Sequence, residues 1–333
     1  MIASAPGKVI LFGEHAVVYD KLGIAGSIGL RSFAKVSEGK GISLRLKNLN
    51  IKKTISEEEL LRLVEKIEKL KRDKDFDGIK EIAKDKTTAG FFVIGKVMEV
   101  CGFEELNVEI EWKVPKGLGS SSSTCSALVF AVSNFLGKKL RKERIAEIAN
   151  EGDVILHGGT PSGIDANAST FGGYILYKKS SGVKPLNIDF EFPLIIVDSG
   201  KPANTAETVS AVRELMKRKK KFVERLLDRI EDISKDAIDS LKEKNLEKIG
   251  ELMNKNHSLL RKLGVSTKEL DNLTEVSLKN GVLGAKLTGG GGGGCVIVLA
   301  EEEKIERILK VYNDLGYKTF RANLGVEGVR LEI

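Results

Sequence analysis

The sequence predicts an α+β protein of two domains, residues 1–180 and 181–333. Three observations carry this. A length of 333 residues fits two domains or one large one. Apolar runs of strand length are interspersed with helical patterns in both halves. The stretch around 180–190 reads as the connection between them.

Residues 8–12, KVILF, read as a short buried strand, and Gly13, Glu14 and His15 follow at once. A charged pair directly after a buried strand is costly unless satisfied. It reads either as a surface turn or as polar groups projecting into a cleft. Strand-like runs continue at 24–28, 31–36 and 42–46. Leu60, Leu61, Val64, Ile67 and Leu70 follow at helical spacing over residues 56–71. Ser56 and Glu59 suit a capping box at its start. A second helix covers 89–100, and residues 106–114 alternate as a strand, with the lone Trp112 as a packing residue.

That strand delivers the chain to PKGLGSSSSTCSAL, residues 115–128, and an apolar helical run follows. Gly117 and Gly119 permit backbone conformations that a Cβ resists. Ser120 to Ser123 are suited to cap the helix. A helix start leaves N–H groups unpaired and carries partial positive charge, so it can cradle phosphate. The local pattern also fits a plain turn into a capped helix. It is not the Walker-type loop, since no Gly-Lys-Ser or Gly-Lys-Thr occurs. No G-x-G-x-x-G opens a helix after a strand, as a dinucleotide fold requires.

A helix covers 141–156. HGGTPSGIDANASTFGG, residues 157–173, then carries a single carboxylate, Asp165, and no basic residue. It reads as turn chemistry, or as a carboxylate facing a reacting group. A strand at 174–178 closes this half. The second half opens with a strand at 193–197 and helices at 205–220, 222–241 and 246–263. The basic run 217–221 reads as a solvated helix end. Ile249, Met253, His257 and Leu260 share one helical stripe, which makes His257 a satisfied inward histidine rather than a metal ligand. Residues 282–287 lead to Thr288 and six consecutive glycines, 289–294, before a buried strand at 295–299. Apolar runs abut both ends, so a flexible linker fits poorly. A tight loop against a ligand, or against the other glycine-rich loop, fits better. A helix at 303–315 and strands at 317–323 and 326–332 end the chain.

The formal net charge is +7 and the pI about 9.0. Basic residues are spread along the chain and aromatics make up only 6%. This favours a small anionic substrate over nucleic acid. Cys101, Cys125 and Cys295 are odd in number and lack metal-like spacing, which fits a reducing cytoplasm. The first residues resemble neither a signal peptide nor a membrane span, and no later apolar run reaches membrane length.

Taken together, APGKVILFGEHAVVY, PKGLGSSSSTCSAL and KLTGGGGGGC resemble, in order and separation, the three motifs of the GHMP small-molecule kinases. Within that family the likeness is closest to the members that phosphorylate mevalonate, through GEHAVVY, HGGTPSGIDANASTFGG and NHSLLRKLGVS. The resemblance implies a GHMP N-terminal α/β domain, a ferredoxin-like C-terminal α/β sandwich, and a cleft between them. It implies ATP and Mg²⁺, with phosphate moved to the primary alcohol of mevalonate. Lys8, Glu14 and His15 fall on substrate-side positions. Pro115, Gly117, Leu118, Gly119, Ser120, Ser121 and Ser122 fall on the ATP phosphate loop, with Ser121 as metal partner. Asp165 falls on the catalytic aspartate, beside Lys8.

The second metal partner, usually a Glu four residues before the His or Gln of the fourth segment, becomes Asp153 on counting back from His157. Glu151 is the alternative. One residue around Gly159-Thr160 is inserted before PSGID, and Ala206 stands where the family often has Lys. The implied partner is the small molecule, with no nucleic acid and no membrane; a homodimer is allowed. The alternatives to a mevalonate-phosphorylating enzyme are another GHMP kinase, such as one acting on phosphomevalonate, or a non-catalytic ligand sensor. Retention of Lys8 and Asp165 favours an active kinase.

Overall fold

The computed structural model describes residues 1–157, 162–188, 190, 192 and 194–332. The insertion expected at Gly159-Thr160 and the expected strand start at position 193 lie outside the described residues, as does the side chain of His157.

Strand β1, Ile2–Phe12, is longer than its apolar run. It pairs antiparallel with β2, Gly23–Glu38, from Ile2 onward. The two runs expected at 24–28 and 31–36 are one strand, because both halves pair with β1. The register shift between Pro6 and Gly7 absorbs the break between them. Strands β3 (Ile42–Leu46), β4 (Ile51–Ile55), β5 (Leu106–Trp112), β6 (Tyr174–Lys178), β7 (Gly182–Leu186) and β12 (Arg330–Leu331) complete this sheet. Its main path runs β12-β1-β2-β5-β3-β4, with β6 pairing β2 and β7. Only the β3–β5 pair among these is parallel.

Helices α1 (Glu57–Arg72), α2 (Phe76–Ile82), α3 (Thr88–Cys101), α4 (Ser120–Phe135), α5 (Lys142–His157) and α6 (Ile164–Phe171) accompany the sheet. The expected capping box forms: Ser56 accepts from the Glu59 N–H, and the Ser56 N–H donates to Glu59. Helix α4 is apolar or small on nearly every face. It packs against β1, β2, α3, α5 and α6, so a helix hydrophobic all round lies at the centre of this half.

The second sheet contains β8 (Leu194–Asp198), β9 (Gly284–Thr288), β10 (Cys295–Leu299) and β11 (Lys318–Ala322). Its order is β11-β8-β10-β9, wholly antiparallel. In chain order this is 4-1-3-2, the arrangement of a ferredoxin-like sandwich. Helices α7 (Thr205–Arg218), α8 (Lys220–Lys242), α9 (Leu246–Leu263) and α10 (Lys268–Lys279) separate β8 from β9, and α11 (Glu302–Asp314) separates β10 from β11. Helix α9 lies close on β9: a Cβ added to Gly250 would sit 2.4 Å from the Leu283 carbonyl oxygen. Helices α2 and α10, and strands β4 and β7, are additions to the sequence reading. Among the described residues, no helix is long and apolar enough to cross a membrane.

One apolar cluster joins Val9, Leu11 and Phe12 of β1 to Leu287 and Val296 of the second sheet. The end of β1 is therefore packed where the two sheets' layers meet. This places the residues that follow it, Gly13 to His15, at the junction.

Candidate active site

The phosphate-loop candidate is a tight strand-to-helix connection. The Lys8 N–H donates to the Leu118 carbonyl at 2.8 Å, and the Leu118 N–H to the Pro115 carbonyl at 3.3 Å. Gly117 and Gly119 both have positive φ, +90° and +79°. A Cβ at Gly119 would also press to 3.0 Å from Cγ of Lys8, so glycine there lets the lysine stem pass. Helix α4 begins at Ser120 with Gly119 as its N-cap, and no side chain caps it. The expected serine cap is thus corrected: the αL glycine turns the chain, and the hydroxyls are used elsewhere. Ser122 donates to Asp153 Oδ2 at 2.5 Å. Ser123 shares a hydrogen bond of 2.8 Å with Ser32.

Asp153 is buried on the face of α5 turned toward α4. Glu151, two residues away and so about 200° around the helix, pairs instead with Lys71 of α1 at 2.7 Å. Asp153 and the Ser122 hydroxyl that donates to it are oxygen donors beside the first turn of α4, which also carries Ser121. Oxygen donors are the ligands magnesium takes, so these residues fit that ion.

Asp165 lies in the first turn of α6, not in the irregular turn that its Gly/Ser-rich surroundings suggest. Gly163 in the αL region precedes it, and Tyr177 donates to the Ser162 carbonyl at 2.7 Å, fixing the entry to the helix. Lys8 Nζ lies 3.1 Å from Asp165 Oδ2. The lysine side chain is 3% exposed and the aspartate 32%, so the carboxylate opens outward while its cation is held from behind.

Glu14 and His15 are both buried, which rules out the surface-turn reading. His15 takes a positive φ of 60°, and its Nε2 donates to the Gly290 carbonyl at 2.8 Å. Burial lowers its pKa, so the ring is neutral and Nδ1 carries a lone pair. Glu14 forms a fully buried ion pair with Lys286 of β9. Burial raises the Glu14 pKa, opposed by Lys286. Glu14 Oε2 and His15 Nδ1 have no hydrogen-bond partner among the described residues.

The six glycines form the loop of the β9–β10 hairpin, with Thr288 paired to Cys295 at its base. Four of them, Gly289, Gly291, Gly292 and Gly294, have φ between 70° and 83°. A Cβ on Gly289 would be 3.6 Å from the Gly117 carbonyl oxygen, so the two glycine loops meet as expected. Local patterning does not mark Lys286 or Thr288. Both nonetheless fall within KLTGGGGGGC, the third of the family-like motifs, in a short strand that runs into the glycine loop.

The site therefore combines an open helix start, a lysine–aspartate pair and two buried acceptors. The family model for the GHMP kinases N-terminal domain matches residues 87–173, and that for the GHMP kinases C-terminal region matches residues 237–318. The chain is 33% identical to the mevalonate kinase of Pyrococcus horikoshii over 299 residues, covering 87% of this chain and 85% of that one. The crystal structure of Methanococcus jannaschii mevalonate kinase superposes with a TM-score of 0.80 at 29% identity, covering 97% of this chain and 98% of that one. That of L. major mevalonate kinase in complex with R-mevalonate gives 0.77 at 26% identity, covering 98% and 96%. The chain belongs to the GHMP kinases, and among them to the mevalonate kinase family.

Proposed function

We propose that this protein transfers the γ-phosphate of ATP to the primary hydroxyl of mevalonate, giving 5-phosphomevalonate. The observation that carries the reading is the Lys8–Asp165 pair beside the Gly117–Ser122 loop. It sets a carboxylate and a cation next to a helix start suited to phosphate. The L. major relative, crystallised with R-mevalonate, supports the acceptor.

Phosphoryl transfer needs positioning and charge stabilisation more than covalent help. The N–H groups at the start of α4 and the backbone of residues 115–119 hold the ATP phosphates. The glycines at 289–294 let a second stretch of backbone approach the first loop. Glu14 and His15 accept hydrogen bonds from mevalonate. Asp165 takes the proton of the primary hydroxyl as its oxygen bonds to phosphorus and the bond to the ADP oxygen breaks. Lys8 offsets negative charge on the forming alkoxide and on the transferring group. Ser121 and Asp153 would hold Mg²⁺, which supplies charge neutralisation to the phosphates when bound. Asp153 is preferred to Glu151 because it lies on the face of α5 turned toward the start of α4, whereas Glu151 faces Lys71 of α1. The cytoplasm is the proposed setting, since all three cysteines are free thiols.

The test is ADP release with ATP and a panel of acceptors, the product being identified by phosphorus NMR. Turnover of mevalonate, with phosphomevalonate, galactose and homoserine inert, is the expected result. Turnover of phosphomevalonate with mevalonate untouched overturns the reading.

A further inference from the structure

Alternate residues of the last motif hold the first motif in place. Lys286 and Thr288 lie two apart on β9, so their side chains leave the same face of the strand. Lys286 pairs with Glu14. Thr288 Oγ1 donates to the Ile10 carbonyl at 3.0 Å and accepts from the Ile10 N–H at 2.9 Å. Two residues further on, the Gly290 carbonyl accepts from His15. Three consecutive alternate positions of one segment thus grip Ile10, Glu14 and His15, more than 270 residues away in sequence.

Thr288 holds backbone. Lys286 holds a side chain, and at a cost. All five residues of β9 are buried, and Lys286 and Glu14 are both 0% exposed. A buried ammonium requires a charged partner and further acceptors. Lys286 has both: Glu14 Oε1, and the Leu287 carbonyl at 2.8 Å. Glu14 is served on one side only, for Oε2 has no partner among the described residues. A carboxylate pinned through one oxygen has the other aimed in a fixed direction. A ligand hydroxyl is the donor that completes it.

We propose that Lys286 is a positioning residue for the acceptor substrate: reaching across from the second sheet, it fixes Glu14 so that Oε2 receives a mevalonate hydroxyl. The inference rests on the mevalonate reading of the site. It makes substrate affinity depend on a residue that reaches Glu14 from the second sheet. A neutral residue at 286 would leave Glu14 a buried, unpaired charge, free to turn or to take up a proton.

Lys286→Met keeps the apolar stem and removes the ammonium. Steady-state kinetics with ATP and mevalonate varied separately should show the mevalonate KM raised about tenfold or more, with the ATP KM within about twofold. The double variant Glu14→Gln/Lys286→Met should have no higher mevalonate KM than Glu14→Gln alone, because Lys286 acts through Glu14. If Lys286→Met does not fold, Lys286→Gln, whose amide can still donate to Glu14 Oε1, takes its place in the same comparison. Equal losses toward both substrates, an unchanged mevalonate KM, or a double variant whose KM increase is the product of the two single increases would each overturn the proposal. Wild-type protein is assayed first. Failure there to turn over mevalonate defeats the functional reading itself, whereas the variant outcomes bear on Lys286 alone.

Discussion

At the scale of single residues, the site depends on how charges are held. Lys8 is enclosed, with its stem against Gly119 and its ammonium 3.1 Å from Asp165. Asp165 is the only carboxylate in residues 157–173 and the more open member of the pair. Asp165→Asn keeps the size and removes the charge, and with it the proposed proton acceptor. General-base catalysis contributes on the order of 10²- to 10⁴-fold, so kcat should fall by that much. ATP affinity, measured by equilibrium titration, should be unchanged. A loss in kcat below about tenfold would reduce Asp165 to a helix-entry residue.

At the scale of elements, β9 is held from both sides. Its outer support runs through His257 of α9, whose Nδ1 accepts from the Leu287 N–H at 3.3 Å. Its Nε2 faces Asp271 of α10 at 3.2 Å, so the histidine joins two helices to the strand, as an inward, satisfied residue. Burial pulls its pKa down to about 4, only partly countered by Asp271, while Lys286 and Arg261 press the same way as burial. The unfolded chain would have the ordinary value near 6.5. Between those two values the unfolded state binds a proton that the folded state does not. The contribution of this histidine to folding stability is therefore fully present above about pH 6.5 and is lost as the pH falls toward 4, by up to roughly 3 kcal/mol. Urea denaturation of wild type and His257→Asn at pH 7 and pH 4.5 checks this. The variant should be less stable at pH 7 and lose less on acidification. Parallel losses would place the acid sensitivity elsewhere.

At the scale of the whole molecule, we propose units of residues 1–180 and 181–333 that are tied together. Strand β7 pairs with β6, and β12 pairs with β1, so second-unit residues complete the first sheet. Buried Arg31 adds to this by donating to the Glu327 carbonyl at 2.8 Å and the Gly328 carbonyl at 2.5 Å. The apolar cluster that spans β1 and the second sheet is continuous. Such coupling favours one cooperative transition over two. Trp112, the lone tryptophan, sits in β5 and reports on the first sheet alone. Its fluorescence and the far-UV circular dichroism should follow coincident thermal curves. Separate midpoints would mean that the units unfold independently.

Local chemistry was legible in the sequence. The capping box at Ser56, the stripe of α9 and the limits of β10 follow from spacing, because helix and strand periodicities act over a few neighbouring residues. The three glycine- and charge-bearing motifs, taken together, were enough to indicate the fold class and family. Other features depended on distant pairing. β2 is one strand because β1 runs alongside both its halves. Asp165 enters a helix because α6 packs on α4 and α5, although its own segment is rich in turn formers. Glu14 and His15 are buried because a hairpin from the far end of the chain closes over them. Lys286 shows the limit most clearly. Read locally, it is one lysine in an apolar strand. Its partner lies 272 residues earlier, and only the folded chain brings ammonium and carboxylate close enough to offset the desolvation that each would suffer alone.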